Sequence, residues 1–202
     1  ADTGMDALTH SIEAYVAGLR TDITDALAMK AIDMIVHNIQ KAVKGDKEGR
    51  GKMHVAQCLA GMSFSNALLG IVHSLAHKTG AEFHITHGRC NAILLPFVIQ
   101  YNSKVCADRF ADIARMLKLS GNTNEELTAS LVKKVKELNS SLGIKQTYKE
   151  NGVTEEHFKA KCDDISKNAV ADPCTGSNPR QTDFENMKKV LEAAYYGYDI
   201  NF

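Results

Sequence analysis

The stretch GIVHSLAHKTGAEFHITHGRCNAILLP, residues 70–96, is the most informative part of this sequence. It holds four of the eight histidines, in sequence that is otherwise largely apolar and interrupted by glycines. His73 and His77 are four residues apart, so on a helix both side chains leave the same face. His87 follows beyond a predicted turn and directly precedes Gly88, whose lack of a side chain would allow close backbone approach. The spacing predicts a cluster of imidazoles held between helices.

A second motif repeats this spacing near the start of the chain. Asp6 and His10 lie four residues apart in GMDALTHSIEAYV, residues 4–16. One carboxylate with several imidazoles suits a borderline divalent metal such as Fe(II) or Zn(II), whereas Mg(II) or Ca(II) would require more oxygen ligands. Taken alone, Asp6 is better interpreted as a carboxylate that stabilises a helix N-terminus. Residue spacing therefore predicts a divalent-metal site between helices, and nothing more specific.

The HSLAH segment differs from the zinc-protease motif, because Ser74 stands where that motif carries its general-base glutamate. The other histidines are interpreted as ordinary core or surface residues: His37, His54, His84 and His157. The chain has five cysteines and no CxxC spacing, which favours reduced thiols over a disulfide framework. No activating base is identified for Cys90 or Cys174, and both are interpreted as structural thiols.

Composition excludes several classes of function. Lys and Arg together number 24, as do Asp and Glu, so the formal net charge is zero across 202 residues, and no basic stripe with interleaved aromatic residues is present. A nucleic-acid partner is therefore not expected. No apolar run approaches the length of a transmembrane helix, and no signal-peptide pattern is present. We expect a cytoplasmic protein that does not associate with membranes.

Helical periodicity recurs along nearly the whole chain, while strand patterns, a GxGxxG fingerprint and a P-loop are all absent. The sequence predicts an all-α helical bundle forming a single domain over residues 1–202. Thr3 is predicted to cap the first helix, and residues 44–51 to form a glycine-rich break. A buried third helix is expected over about 52–69. Pro96 is expected to kink the helix over about 91–102 or to lie in its first turn.

The two histidine-bearing stretches resemble the signature sequences of the iron-containing (group III) alcohol dehydrogenases. Matched position by position, the resemblance implies that the metal ligands are Asp6, His10, His73 and His87. It implies a catalytic role for His77, which would lie beside the nicotinamide and the substrate without binding the metal. His87 would also lie near the cofactor. Thr86 is a departure, since a proline is expected before the motif histidine.

Further segments, AHKTGAEFH, CTGSNPR and AAYYG, are similar to the alcohol dehydrogenase part of bifunctional aldehyde–alcohol dehydrogenases. The resemblance implies the C-terminal helical, metal-binding domain of a two-domain enzyme, cut from a longer chain that carries an N-terminal α/β cofactor domain. It implies Fe(II), with Zn(II) possible, and NAD(H) bound mostly by that other domain. The implied reaction is fermentative interconversion of a short-chain aldehyde, acetaldehyde first, and its primary alcohol. The isolated fragment is expected to be inactive.

Three alternatives stay open at this stage. The substrate could be another alcohol or diol, or the histidines could cluster without a metal. The domain could also serve mainly in a homo-oligomer or filament. Apolar residues near the C-terminus would suit such contacts if exposed, or would pack onto their own domain: Tyr195, Tyr196, Tyr198, Ile200 and Phe202. In CTGSNPR, Asn178 and Arg180 are expected to fix a loop rather than to meet the substrate.

Overall fold

A computed structural model describes residues 1–202 and contains eight α-helices, one short 3-10 helix and no strand, which confirms the predicted all-α class. The helices are α1 Asp2–Val16, α2 Asp22–Val43, α3 Lys47–Ala67, α4 Ile71–Phe83, α5 His87–Met116, α6 Asn124–Ser141, α7 Glu155–Val170 and α8 Phe184–Tyr196, with the 3-10 helix at Pro173–Ser177. No individual helix has the length and apolarity needed to cross a bilayer; α3 and α4 pass that test only as a pair, bent by 107° at their junction.

Helix α1 occupies the middle of the bundle, where it packs against α2, α3 and α5. Ten of its fifteen residues are buried, among them Leu8 and Ile12 on the face that periodicity predicts. Three of its polar residues, Thr9, Ser11 and Glu13, are also buried. This position makes α1 the helix around which a buried site can be built.

The predicted cap at Thr3 is wrong, because α1 already begins at Asp2 and has no side-chain cap. The side chain of Asp2 is used elsewhere. It accepts hydrogen bonds from Thr86 Oγ1 at 2.6 Å and Arg89 Nη2 at 3.2 Å. These bonds tie the first turn of α1 to the first turn of α5, the two helix ends that carry candidate metal ligands.

Helix α3 differs from the prediction in its start and in its burial. It begins at Lys47, because the side chain of Asp46 accepts a hydrogen bond from the Gly49 N–H at 2.6 Å and so caps the helix. The helix is also largely exposed: Val55 is 53% and Met62 is 51% exposed. Only one stripe, mostly of small residues, faces the bundle, so apolar composition alone overstated the burial of this helix.

Pro96 neither kinks its helix nor lies in the first turn. Helix α5 runs through it, and the backbone departs from helical geometry at Cys106 instead, with φ −144° and ψ 41°. A proline has no N–H to donate to the carbonyl four residues earlier, Ala92. The side chain of Asn139 on α6 donates to that carbonyl at 2.7 Å. A neighbouring helix thus supplies the hydrogen bond that proline removes.

The C-terminal segment packs mainly onto its own fold. Tyr195 is fully buried and donates its hydroxyl to the carbonyl of Val153, and Ile200 is only 7% exposed. Tyr196 and Tyr198 remain at the surface, at 42% and 45% exposure. Of the C-terminal apolar residues named for assembly contacts, these two tyrosines are therefore the most exposed.

The segment 171–180 fixes the position of α4 through its side chains. Asn178 accepts from the Ile71 N–H at 3.3 Å and from Asn102 Nδ2 at 3.0 Å. Arg180 donates to the carbonyls of Tyr101 and Phe202. These contacts agree with the structural interpretation of both residues.

Candidate metal centre

Helices α1, α4 and α5 bring three of the sequence-predicted ligands together. Asp6 Oδ1 lies 3.6 Å from His73 Nε2 and 3.4 Å from His87 Nε2. One donor atom from each residue lies within 4.8 Å of the other two, a spacing that could hold a metal ion. Asp6 precedes His73 by 67 positions and His87 by 81, so their convergence results from the packing of three helices.

The backbone around His87 allows α5 to start against α1. A Cβ added to Gly88 would overlap the carbonyl of Asp2, so only glycine permits this approach. Thr86 precedes His87 with φ −57°, an angle that proline would also adopt. Threonine therefore keeps the backbone conformation expected at this position, and its hydroxyl adds the hydrogen bond to Asp2.

The amide of Asn91, one turn after His87, lies among the three donor atoms. Its Nδ2 is 2.6 Å from Asp6 Oδ1, 3.2 Å from His73 Nε2 and 3.1 Å from His87 Nε2. When both imidazole nitrogens carry lone pairs, as metal binding requires, this amide nitrogen faces three acceptors with only two hydrogens and cannot satisfy them all. The Asn91 Oδ1 atom is buried without a partner. These three atoms then present more lone pairs than the hydrogen-bond donors of the protein can satisfy. Such a group of lone pairs is what a metal cation requires.

His10 lies beside these three residues, and its ring is farther from Asp6 Oδ1 than the rings of His73 and His87 are. The ring stacks between Phe64 and His73, with centroids 4.3 Å and 4.5 Å away. Its Nδ1 is 3.9 Å from Asp6 Oδ1 and is buried without a hydrogen-bond partner. Of the four predicted ligands, His10 is therefore adjacent to the other three, and its Nδ1 does not join their close cluster.

The charges of the cluster are strongly coupled. Burial alone would raise the pKa of Asp6, but hydrogen bonds with His73 and His87 outweigh burial and hold that pKa well below its usual range. Burial lowers the pKa of His73, yet hydrogen bonds to Asp6 and Glu13 raise it to about 9. Burial and the nearby His73 lower the pKa of His10 to about 4. The Asp6 carboxylate is thus held ionised beside imidazoles that can carry positive charge.

His77 lies next to His87 at the edge of the cluster and contacts Asp172 through its Nδ1. Its ring stacks on that of His87, with centroids 5.5 Å apart, and its side chain is 40% exposed. Its Nδ1 is 3.1 Å from Oδ2 of Asp172, which also accepts a hydrogen bond from Lys78 Nζ at 2.9 Å. With Nδ1 facing Asp172, Nε2 is the ring nitrogen that remains for another partner.

A second group of possible donors contains His77, Asp172 and Cys174. It is less suited to a cation than the first group, because Lys78 already neutralises Asp172. Burial and the negative Asp172 also raise the pKa of the Cys174 thiol to about 12, which disfavours the thiolate that a metal requires. We interpret this group as a support for His77.

The other histidines agree with their structural interpretation. His37 contacts the carbonyl of Asp33 in its own helix, and His157 contacts Glu82 at the surface. His84 ends α4 in a left-handed conformation with φ 53°. His54 is exposed on α3. The five cysteines are all free thiols, which is consistent with the absence of a disulfide framework.

Sequence reasoning missed Glu13, Asn91 and Asp172. Glu13 follows Asp6 by seven residues, which is two helical turns, and Asn91 follows His87 by four. That spacing was a signal that both share a helix face with a candidate ligand. Asp172 lies 95 residues from the histidine it contacts, so spacing offered no comparable signal.

Comparisons with known proteins now identify the class to which this fold and site belong. Residues 1–195 match the family described as Fe-containing alcohol dehydrogenase family, C-terminal. The chain belongs to the iron-containing alcohol dehydrogenases and corresponds to the C-terminal part of that family.

Individual relatives refine the assignment. The chain is 59% identical over all its residues to an NADPH-dependent butanol dehydrogenase of Clostridium saccharobutylicum, covering 52% of that protein. It is 44% identical over 98% of its length to an aldehyde-alcohol dehydrogenase of Streptococcus pneumoniae, covering 24% of it. The chain thus spans about half or less of the length of these relatives.

Solved structures give the same assignment. A 1,3-propanediol oxidoreductase superposes with a TM-score of 0.91 at 35% identity, covering 96% of this chain and 51% of that one. An iron-containing alcohol dehydrogenase from Thermococcus thioreducens superposes with a TM-score of 0.88 at 34% identity, covering 98% of this chain and 50% of that one.

Proposed function

We propose that this chain is the metal-binding half of a nicotinamide-dependent alcohol dehydrogenase. The reaction would interconvert a short-chain aldehyde, such as acetaldehyde, and its primary alcohol. The observation that carries the proposal is the convergence of Asp6, His73 and His87 from three helices. Membership of the family supports the assignment of this cluster to dehydrogenase chemistry.

The ligand set we propose is Asp6, His10, His73 and His87, holding Fe(II) or Zn(II). Three imidazoles and one carboxylate match the preferences of these ions. When bound, the metal supplies Lewis-acid chemistry, drawing electron density from an alcohol or carbonyl oxygen. The partnerless Nδ1 of His10 supports its inclusion, because a buried ring nitrogen without a hydrogen bond is costly unless another partner is bound.

We propose His77 as the catalytic residue that moves the proton. Its partial exposure and its stacking on His87 put it at the edge of the cluster, open to substrate. Asp172 would hold Nδ1, so that Nε2 can exchange a proton with the alcohol or aldehyde oxygen or with solvent. His77 and His87 would also meet the nicotinamide, whose hydride chemistry belongs to the cofactor.

NAD(H) is the cofactor that we propose, bound mostly by residues outside this chain. The chain has no strand and no glycine-rich dinucleotide fingerprint. We therefore infer that these 202 residues alone do not turn over alcohol. The butanol dehydrogenase relative is NADPH-dependent, so NADP(H) and a longer alcohol form the main variant of this proposal.

Self-association into a homo-oligomer or filament is a further part of the proposal. Tyr196 and Tyr198 support it, since both are exposed and their rings stack with centroids 6.4 Å apart. Truncating the C-terminus would be a poor test, because Ile200 is buried. Replacing the two tyrosines with serine and measuring particle size by light scattering tests the surface alone.

Metal analysis of protein purified without added metal tests the central proposal. We expect about one Fe or Zn per chain, and little in the variants His73→Ala and His87→Ala. His37→Ala on α2 is the matched control, because that histidine is exposed and contacts only its own helix. Normal metal content in His87→Ala would contradict the ligand set. Anomalous scattering from crystals at the Fe and Zn edges would identify the ion.

A further inference from the structure

Glu13 is a buried carboxylate that the proposed ligand set does not use. It is 3% exposed, and no lysine or arginine nitrogen lies within 4.0 Å of it. Its Oε2 lies 2.5 Å from His73 Nδ1, and its Oε1 accepts a hydrogen bond from the Val72 N–H at 2.7 Å. A buried charge without a cationic side chain is costly unless its environment compensates it. Here the compensation comes from the candidate ligand His73 and the N-terminus of α4.

The backbone of α4 is shaped to admit this carboxylate. A Cβ on Gly70 would lie 2.8 Å from Glu13 Oε1 and 2.8 Å from Asn178 Oδ1, so a side chain there would displace both. Glu13 and Asn178 bond the N–H groups of Val72 and Ile71, the first two residues after the glycine. Side chains from two distant segments thus cap α4 in place of its own N-cap, and one of them reaches on to the imidazole.

The hydrogen bond from His73 to Glu13 determines which ring nitrogen faces the cluster. A carboxylate can only accept, so the neutral imidazole of His73 keeps its proton on Nδ1 and its lone pair on Nε2. Nε2 is the atom that lies 3.6 Å from Asp6 Oδ1. Carboxylates that bond the remote nitrogen of a metal-binding histidine fix its tautomer and orientation.

We propose that Glu13 is a positioning residue that fixes the tautomer and orientation of His73 for metal binding. The inference rests on the proposed function, because it requires a metal in the cluster of Asp6, His73 and His87. It adds a residue that contacts neither metal nor substrate and acts through His73 alone.

Glu13→Gln tests the inference with little change of shape. A carboxamide has one acceptor oxygen, and keeping it on the Val72 N–H leaves the NH2 group facing His73 Nδ1. That arrangement favours the tautomer protonated at Nε2, which cannot bind a metal there. We expect Zn(II) affinity, measured by competition with a chelator, to fall about 10- to 100-fold. In the Zn(II)-loaded protein, the ¹H–¹⁵N correlation signal of the His73 Nδ1–H should disappear or shift strongly.

Two further variants separate positioning from general stability. Asn178→Ala removes the neighbouring bond to the N-terminus of α4 without touching His73, so Zn(II) affinity should stay within about twofold even if melting temperature falls. Glu13→Asp keeps an acceptor and should retain the Nδ1–H signal with a smaller loss of affinity. If Glu13→Gln does not fold, this variant decides the question, because loss of the Nδ1–H signal with unchanged Zn(II) affinity would overturn the inference.

The outcomes distinguish the inference from the proposed function. If the unaltered protein does not bind Zn(II), or binds it equally well after His73→Ala, the proposed metal site is wrong. If the unaltered protein binds Zn(II) through His73, and Glu13→Gln binds it equally well with the same tautomer signal, only the role of Glu13 is wrong.

Discussion

His77 Nδ1 and Asp172 Oδ2 lie 3.1 Å apart, joining α4 to the residue that caps the 3-10 helix at Pro173–Ser177. The same oxygen accepts from Lys78 Nζ, while Oδ1 accepts from the Cys174 N–H at 3.1 Å. Asp172 is only 7% exposed, so it makes these bonds largely out of water. The proposed proton-transfer residue is therefore oriented by a carboxylate that also stabilises the fold.

We expect Asp172→Asn to destabilise the protein by about 2 kcal/mol at neutral pH. Burial raises the pKa of Asp172, but bonds from Lys78, Cys174 and His77 outweigh it and lower that pKa from 3.8 to about 2, a difference worth about 2 kcal/mol. A lowered pKa contributes stability that is full above 3.8 and is lost as pH falls towards 2. The deficit of the variant in urea unfolding should therefore shrink as pH falls below about 4.

A surface carboxylate provides the control for this pH dependence. Asp163 pairs with Lys188, but its side chain is 67% exposed, and exposed ion pairs contribute little. Asp163→Asn should change the free energy of unfolding by less than about 1 kcal/mol. A deficit for Asp172→Asn that stays constant from pH 7 down to pH 3 would show that its bonds do not depend on ionisation.

His77→Ala should separate metal binding from turnover. His77 lies outside the close cluster of donor atoms, so the metal content of the variant should stay normal. Positioned proton transfer contributes about 10²- to 10⁴-fold, and we expect kcat of the complete enzyme to fall within that range. His84→Gln, an exposed histidine at the end of the same helix, is the control for kcat. Loss of metal in His77→Ala would instead make His77 a ligand.

Asn91→Ala should lower the melting temperature more in the metal-free protein than in the Zn(II)-loaded protein. Its amide is the donor that Asp6 Oδ1 shares with two imidazole nitrogens, and removing a buried partner costs about 1–3 kcal/mol. A bound cation would satisfy the same acceptors, so the loss of melting temperature should be smaller with Zn(II) present. Asn66→Ala is the control, because that exposed side chain bonds only its own helix. Equal losses with and without Zn(II) would contradict the placement of the cation among these donors.

The sequence predicted the parts of the site that depend on local spacing. Two pairs four residues apart, Asp6 with His10 and His73 with His77, share helix faces wherever their helices form, so the cluster could be anticipated. Which members point inward depends on packing: His10 stacks on His73, and its Nδ1 remains 3.9 Å from Asp6 Oδ1. The orienting bond from Asp172 to His77 joins residues far apart in the chain and could not be derived from spacing.

Two of the errors in the predicted fold also result from contacts between segments far apart in the chain. Asp46 could have been recognised as a cap three residues before Gly49, since aspartate is a preferred capping residue. The exposure of α3 could not have been recognised, because composition does not show which apolar residues pack against another helix. The uninterrupted path of α5 through Pro96 depends on a side chain from α6, and helix-breaking rules consider only the residues of one helix.

A double-mutant cycle on Pro96 and Asn139 measures that compensation. Asn139 is fully buried and donates to the Ala92 carbonyl, to which Pro96 cannot donate because it has no N–H. Asn139→Ala should therefore lower the free energy of unfolding by about 1–3 kcal/mol. In a Pro96→Ala background, the new N–H can bond Ala92 within the helix, and the same substitution should cost about 1 kcal/mol less. The cavity left by Asn139→Ala is common to both backgrounds and cancels in the comparison. Additive free energies in urea unfolding would mean that the side chain of Asn139 does not replace the hydrogen bond lost at Pro96.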